Sequence, residues 1–350
     1  MTKEQKALLE LIRIGSSGVC NFSEALANAD WQKVHDLVGR HGVTCLGWHG
    51  VELLFKQKVD LCPHKVKIHW CVQSIQAQIA MAQKRAKSLE FVRDLGLPCV
   101  ILKGIDYCRF WPKDDWRTFG DLDIWLQKGR YDRGNQRARA MGCRIEDDGY
   151  YKHSKIFYNK LMIENHMFLT MFDETRSGKI LESALQKLIN KTTTADGQSW
   201  LSPSNEFTAL FILVHAHQHF FFDGFSLKQI LDWHFFLLKE ENNVDWNAVL
   251  PVMEKAHVFG FYNVMTAFCV RYLGLKTIML YNCSEKLVED FCKELFSNGD
   301  NAAHQNRKAS QLIRRFKRMW RFRMFLGESI WIRIRNTYLY NYKHKKPTLK

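Results

Sequence analysis

RTFGDLDIWL, residues 117–126, places Asp121 and Asp123 two positions apart in a run otherwise rich in Leu122, Ile124, Trp125 and Leu126. The apolar residues suit a buried strand. In a strand, residues two apart project to the same face, so the two carboxylates point one way and Leu122 and Ile124 the other. Like charges that close repel, and burial makes the repulsion worse. Two arrangements tolerate the pair: a solvent-facing edge, where D-x-D carries no chemistry, or a cation between the carboxylates. Two carboxylates plus a substrate phosphate are a common way to hold Mg2+.

The flanking sequence extends this reading. PCVILKG, residues 98–104, is a short apolar run between proline and glycine, which predicts a buried strand ending near Gly104. IDYCRFW, directly after it, suits a short helix. Glycine at that turn lets backbone amides at the helix start approach a phosphate, and Lys103 adds a point charge; a simple strand-ending turn would read the same way. Arg117, four residues before Asp121, is placed to reach the same point. GRYDRGNQRARAMG, residues 129–142, predicts a polar-faced helix, and KIFYNKLMIENHMFLTMF, residues 155–172, a strand pair turning near Asn159–Lys160. Glu164 and His166 then share a strand face, adding the third carboxylate that a two-metal phosphoryl-transfer centre needs. His153 and His166 fall in the same block and are candidates for an acid–base role or a phosphate contact.

The rest of the chain reads as helix. SEALANADWQKVHDLVGRHGV, from Ser23 as cap, and the long run from Lys65 to Gly96 fill the N-terminal part. SPSNEFTALFILVHAHQHF, with a serine cap and Pro203 in the first turn, opens the C-terminal part, followed by SLKQILDWHFFLLKE and the run from Asp245 to Gly274. His215 and His219 share a helix face; they suit a hydrogen-bonded core edge or an edge turned toward the pocket better than a zinc site, because no H-E-x-x-H surrounds them. Asp232 lies further along.

Composition bounds the rest. The chain has 350 residues, 46% hydrophobic and 25% charged, enough for a large core. There is no secretory leader pattern and no apolar run of membrane-spanning length, which predicts a cytoplasmic protein. Ten scattered cysteines without a C-x-x-C pair suit free thiols in a reducing compartment. The net charge of +15 is concentrated: residues 307–350 hold fourteen Lys or Arg against Glu328, a net +13, and the preceding 306 residues carry only +2. This tail interleaves basic and aromatic residues. It suits peripheral association with an anionic membrane surface, a hold on single-stranded RNA, or a helix packed on the body with a solvated charged face.

LKG, R-x-x-x-D-L-D-I-W and I-E-N-H together resemble the polymerase-beta-like nucleotidyltransferase superfamily, and more closely a bacterial group of uncharacterised nucleotidyltransferases. The similarity extends through ADWQKVHDLVGRHGV, LVHAHQH, LKQILDWHFFL and DWNAVL. Pattern and resemblance give an α+β fold: a small mixed-sheet nucleotidyltransferase core at 96–175, flanked by helical regions at 1–95 and 176–306, with the tail at 307–350. The resemblance implies Mg2+- or Mn2+-dependent transfer of a nucleoside monophosphate from a nucleoside triphosphate to an unidentified acceptor, releasing pyrophosphate. It assigns Asp121, Asp123 and Glu164 to the metals, with Glu164 also helping to deprotonate the acceptor. Lys103, Gly104 and Arg117 meet the phosphates. Two departures stand out: Ile105 follows Gly104 where the superfamily has Gly or Ser, and the third acid is Glu where Asp is commoner. The group often accompanies surface-polysaccharide genes, which points to a glycan-related acceptor. Two other classes remain: a non-catalytic module binding a nucleotide or glycan precursor, and an RNA-directed transferase or RNA-binding protein. Three retained carboxylates count against the first, and the near-neutral body against the second.

Overall fold

The structure is a computed structural model that describes residues 1–126, 130–146, 153–170, 175–193, 200–297, 308–326, 329–332 and 335. Five helices come first: α1 (Lys3–Ser17), α2 (Glu24–Ala27), α3 (Trp31–His41), α4 (Thr44–Lys56) and the long α5 (His64–Leu95). A sheet follows, built from β1 (Cys99–Ile101), β2 (Leu122–Leu126), β3 (Arg144–Glu146), β4 (His153–Tyr158) and β5 (Leu161–His166). Within it lie the one-turn α6 (Ile105–Cys108) and α7 (Tyr131–Ala140). The chain then runs through α8 (Arg176–Leu188), the short pair β6 (Thr192–Thr193) and β7 (Ser202–Pro203), and α9 (Asn205–Gln218). The last helices are α10 (Leu227–Glu240), α11 (Trp246–Lys255), α12 (Phe259–Leu273), α13 (Glu285–Ser297) and α14 (Lys308–Arg321). This is the expected α+β arrangement, a small mixed sheet flanked by helices.

The sheet order is β1-β2-β5-β4-β3. Only β2 and β5 run parallel; the other neighbours are antiparallel. The β4–β5 hairpin turns at Asn159 and Lys160, both with positive φ (46° and 67°), a geometry that matches the right-handed strand twist. Every residue of β2 is buried because helices cover both faces. Leu122, Ile124 and Leu126 pack with Phe91, Val92 and Leu95 of α5 and Ala138 of α7. Trp125 joins the larger core formed with the C-terminal helices. The carboxylates thus project on the Trp125 side of the sheet.

Local chemistry corrected two expectations, and the tail takes one of the three forms its composition allowed. The stretch from Ser23 is two helices: Ser23 caps α2, and Asp30 starts α3 by accepting from the amides of Gln32 and Lys33. Ser204 caps α9, whereas Pro203 sits before it in β7. That placement lets Leu201 pair with β1, donating to Cys99 and accepting from Ile101. The tail, in its described part, packs on the body. Arg318 donates to Glu294 (2.6 Å) and to the Phe220 carbonyl (2.6 Å), while Met319, Phe322, Phe325, Leu326 and Ile330 enter the main core. Phe316, Trp320 and Trp331 remain exposed, and residues 336–350 of the tail lie outside the described residues. No helix among the described residues is long and apolar enough to cross a membrane.

The helical body carries an acid-sensitive group of its own. His234 on α10 is 2% exposed, and burial pushes its pKa from 6.5 down to about 3. Between those values the unfolded chain binds a proton that the folded chain refuses, so stability falls as pH drops below 6.5. The urea midpoint should therefore fall between pH 7 and pH 5, and fall less in His234→Phe.

Candidate active site

Three strands lay the polar side chains on one face. Parallel pairing sets Asp123 opposite Glu164, and antiparallel pairing sets Glu164 opposite Lys155 and His166 opposite His153. Asp121, just ahead of β2, falls on the same face as Asp123. One carboxylate oxygen from each of Asp121, Asp123 and Glu164 comes within 4.8 Å of the others. Lys155 escaped the sequence reading, although its place two residues after His153 on a strand was the signal for it.

Cationic and imidazole groups make this density of acids tolerable. The Lys103 ammonium lies 3.1 Å from Asp123 Oδ1 and 3.8 Å from Asp121 Oδ2. His166 Nε2 sits 2.9 Å from Asp123 Oδ1 and 3.5 Å from Glu164 Oε2, and His153 Nε2 lies 3.3 Å from Glu164 Oε1. Burial would raise the Asp123 carboxyl, but Lys103 and His166 outweigh it and hold it below the usual range. Glu164 behaves alike: burial opposes ionisation, yet His166, His153 and Lys103 hold it down to about 2. For Lys103 burial favours the neutral amine, and Asp123, Asp121 and Glu164 together override it to keep the ammonium charged.

The donor set fits a divalent cation. Asp123 is fully buried, and its Oδ2 has no hydrogen-bond partner among the described residues. A buried carboxylate oxygen left unsatisfied is costly, and a hard cation bound by oxygen ligands removes that cost.

The glycine turn stands beside the acids. Gly104 adopts φ 67°, ψ −104°, a conformation that glycine reaches without a Cβ penalty. Its carbonyl accepts from Arg117 Nη1 at 3.2 Å. The Arg117 fork is otherwise taken by Asp232 of α10: Nε to Oδ1 at 2.6 Å and Nη2 to Oδ2 at 2.8 Å, with Trp111 Nε1 also donating to Oδ1 at 2.9 Å. Arg117 is 5% exposed. It reaches the glycine turn, as its spacing suggested, but from the buried side, as a brace rather than an arm extended to phosphates. Two lysines hold the loop that leads into Asp121. Lys228 donates to the Thr118 carbonyl, and Lys84 to those of Phe119 and Gly120. Burial, with Arg117 nearby, lowers Lys228 to about 8.

α9 reaches the same place. His215 Nε2 is 3.2 Å from the Lys103 ammonium and 3.1 Å from His219 Nε2. The shared histidine edge is thus turned toward the acids, whereas Asp232 belongs to Arg117. The model of one protein family, described as uncharacterised nucleotidyltransferases, matches residues 27–274. The chain belongs to that family. The match takes in the whole sheet and α3 through α12, including the helices that carry His215 and Asp232. No curated protein and no solved structure matches the chain. Membership makes the protein an enzyme of the nucleotidyl-transferring kind, with a nucleotide as substrate.

Proposed function

We propose that this site performs Mg2+-dependent transfer of a nucleoside monophosphate from a nucleoside triphosphate to an acceptor, with pyrophosphate as the leaving group. The observation that carries the proposal is the cluster of Asp121, Asp123 and Glu164, with its orphaned Asp123 oxygen, beside the Gly104 turn. Asp121, Asp123 and Glu164 would hold the metal. Bound divalent ions would supply charge neutralisation on the reacting and leaving phosphates. The absent Cβ at Gly104 opens backbone approach to the triphosphate. Lys103 is placed to exchange its carboxylate partners for phosphate oxygens once metal enters. His166 orients Asp123 through its 2.9 Å contact. Arg117 keeps the turn in place from behind. Glu164, held to about 2, is a weak proton acceptor at neutral pH, since an efficient general base has a pKa near the working pH. This favours metal holding over acceptor deprotonation as its task.

The test is transfer of label. With α-labelled nucleoside triphosphates, Mg2+ and a pool of small-molecule, glycan-precursor and RNA acceptors, the wild type should release pyrophosphate and move label. Asp123→Asn should lower that rate by at least about 100-fold, the scale of losing electrostatic stabilisation at a reacting phosphate. Label transfer unchanged in Asp123→Asn would contradict the proposal. A second reading, a nucleotide- or glycan-precursor-binding module without catalysis, rests on one observation: the Lys103 ammonium already stands between Asp121 and Asp123. If it were a permanent substitute for metal, nucleotide would bind equally with and without Mg2+.

A further inference from the structure

We infer that the outer face of α5 is a dimer seam, pairing antiparallel with the same face of a second copy of this chain. α5 is 32 residues long. Its inner face packs on α4, where Trp70 Nε1 donates to the Thr44 carbonyl at 3.0 Å and the Cys45 thiol donates to the Ser74 carbonyl. The opposite face carries Ile68, Val72, Ile75 and Ile79, each between 47% and 54% exposed. Single aliphatic side chains on a surface are ordinary, but a contiguous row of them marks an interaction site. The spacing of this row is four, three, four. Lys65, three residues earlier, and Ala82 and Ala86, three and seven residues later, continue it, and all three are exposed. This alternation is the heptad seam of a coiled coil.

The flanks identify the occupant. No Lys, Arg, Asp or Glu occurs from Ile68 to Gln83. A helix that lies on a membrane surface carries basic residues along its polar face, whereas Gln73, Gln76 and Gln83 border this row. Charge enters at the ends. Lys65 occupies the first seam position, and a lysine at one seam position is a device that fixes register. At the other end, Ala82 lines a cleft of about 250 Å3 with Arg85, Asp114 and Asp115, two acids against one base. Arg85 is held by Asp114. Lys84 is turned to the carbonyls of Phe119 and Gly120, and Lys87 lies past the cleft. Setting Ile68 opposite Ile79 of the second copy, and Val72 opposite Ile75, buries the four aliphatic side chains of each copy against those of the other. The same register sets Lys65 opposite Ala82, with its ammonium at the acidic cleft. Parallel pairing would bring Lys65 against Lys65 and would align the helix dipoles. Charge therefore selects the antiparallel arrangement, whose two-fold axis makes one face complementary to itself.

Sedimentation of the full chain over a range of concentrations tests the seam. The wild type should form a dimer. Ile75→Glu places two carboxylates on the seam, one from each copy. It should raise the dimer dissociation constant by at least about 100-fold, the scale of like charges forced together across an interface. Ile75 is half exposed, so the variant should keep the wild-type circular dichroism. Lys65→Glu should weaken the dimer too, and more at low salt than at high salt. Oxidative cross-linking reads the direction. A mixture of Ile68→Cys and Ile79→Cys copies should join by a disulfide above the wild-type background. Neither variant should do so alone, because its two cysteines would stand eleven residues, about 16 Å, apart along the seam, beyond disulfide reach. A wild type that is monomeric at every concentration, or a dimer that Ile75→Glu leaves intact, would overturn the seam. Cross-linking of Ile68→Cys to itself would overturn the antiparallel pairing.

Discussion

Asp232→Asn is expected to destabilise the fold by about 3–5 kcal/mol, the usual cost of leaving one partner of a buried ion pair uncompensated. Asp232 and Arg117 are 4% and 5% exposed, and the carboxylate takes two bonds from the guanidinium and one from Trp111. The amide of asparagine can replace neither the charge nor both acceptors. The same guanidinium holds the Gly104 carbonyl, so the effect reaches the site. At temperatures where the variant is still folded, nucleotide should bind more weakly than to the wild type. The double variant Arg117→Met/Asp232→Leu separates the two consequences. Packing apolar groups in place of the pair should recover much of the stability, while the glycine turn stays unbraced and nucleotide affinity stays low. Urea unfolding and nucleotide titration read the two effects. A cost below about 1 kcal/mol for Asp232→Asn, the level of an exposed pair, would show that the brace is solvated.

Lys103→Met should produce the second large effect, and in opposite directions for metal and nucleotide. The ammonium is the nearest full positive charge to Asp121 and Asp123. Without it, the three carboxylates repel one another with less positive charge to offset them. The metal-free variant should melt below the wild type, and Mg2+ should raise its Tm more than it raises that of the wild type. Loss of an ammonium this close to the carboxylates, worth a few kcal/mol at the effective dielectric of a protein surface, should tighten Mg2+ binding by at least about tenfold. Nucleoside triphosphate affinity should fall, because the phosphates lose a cation. Unchanged Mg2+ affinity would mean that Lys103 and the metal do not share a place.

These two predictions rest on contacts that a linear reading could not supply. The D-x-D strand, the Gly104 turn and the hairpin with Glu164 were legible because their signals are local: period-two alternation, a glycine after an apolar run, and Asn159–Lys160 between two strands. That Asp123 lies opposite Glu164 comes from the parallel register of β2 and β5, which no local signal gives. The Arg117–Asp232 pair joins positions 115 apart, and no spacing rule links them. Arg117 read as an arm to the phosphates, and its burial against Asp232 turns it into a brace. The lysines that hold the loop before Asp121 come from α5 and α10, and nothing near Lys84 or Lys228 in the sequence marks them. The tail's composition left three readings open, with packing on the body first among them; the Arg318–Glu294 contact and the buried Phe322 and Phe325 rings agree with packing for its described part.

The central claim is that the acids bind metal together with nucleotide. Calorimetric titration of nucleoside triphosphate, with and without Mg2+, into the wild type and Asp121→Asn/Asp123→Asn tests it most directly. Binding that needs Mg2+ in the wild type and disappears in the folded double variant is the predicted result. Equal binding by both proteins, or binding by the wild type that ignores Mg2+, would contradict it.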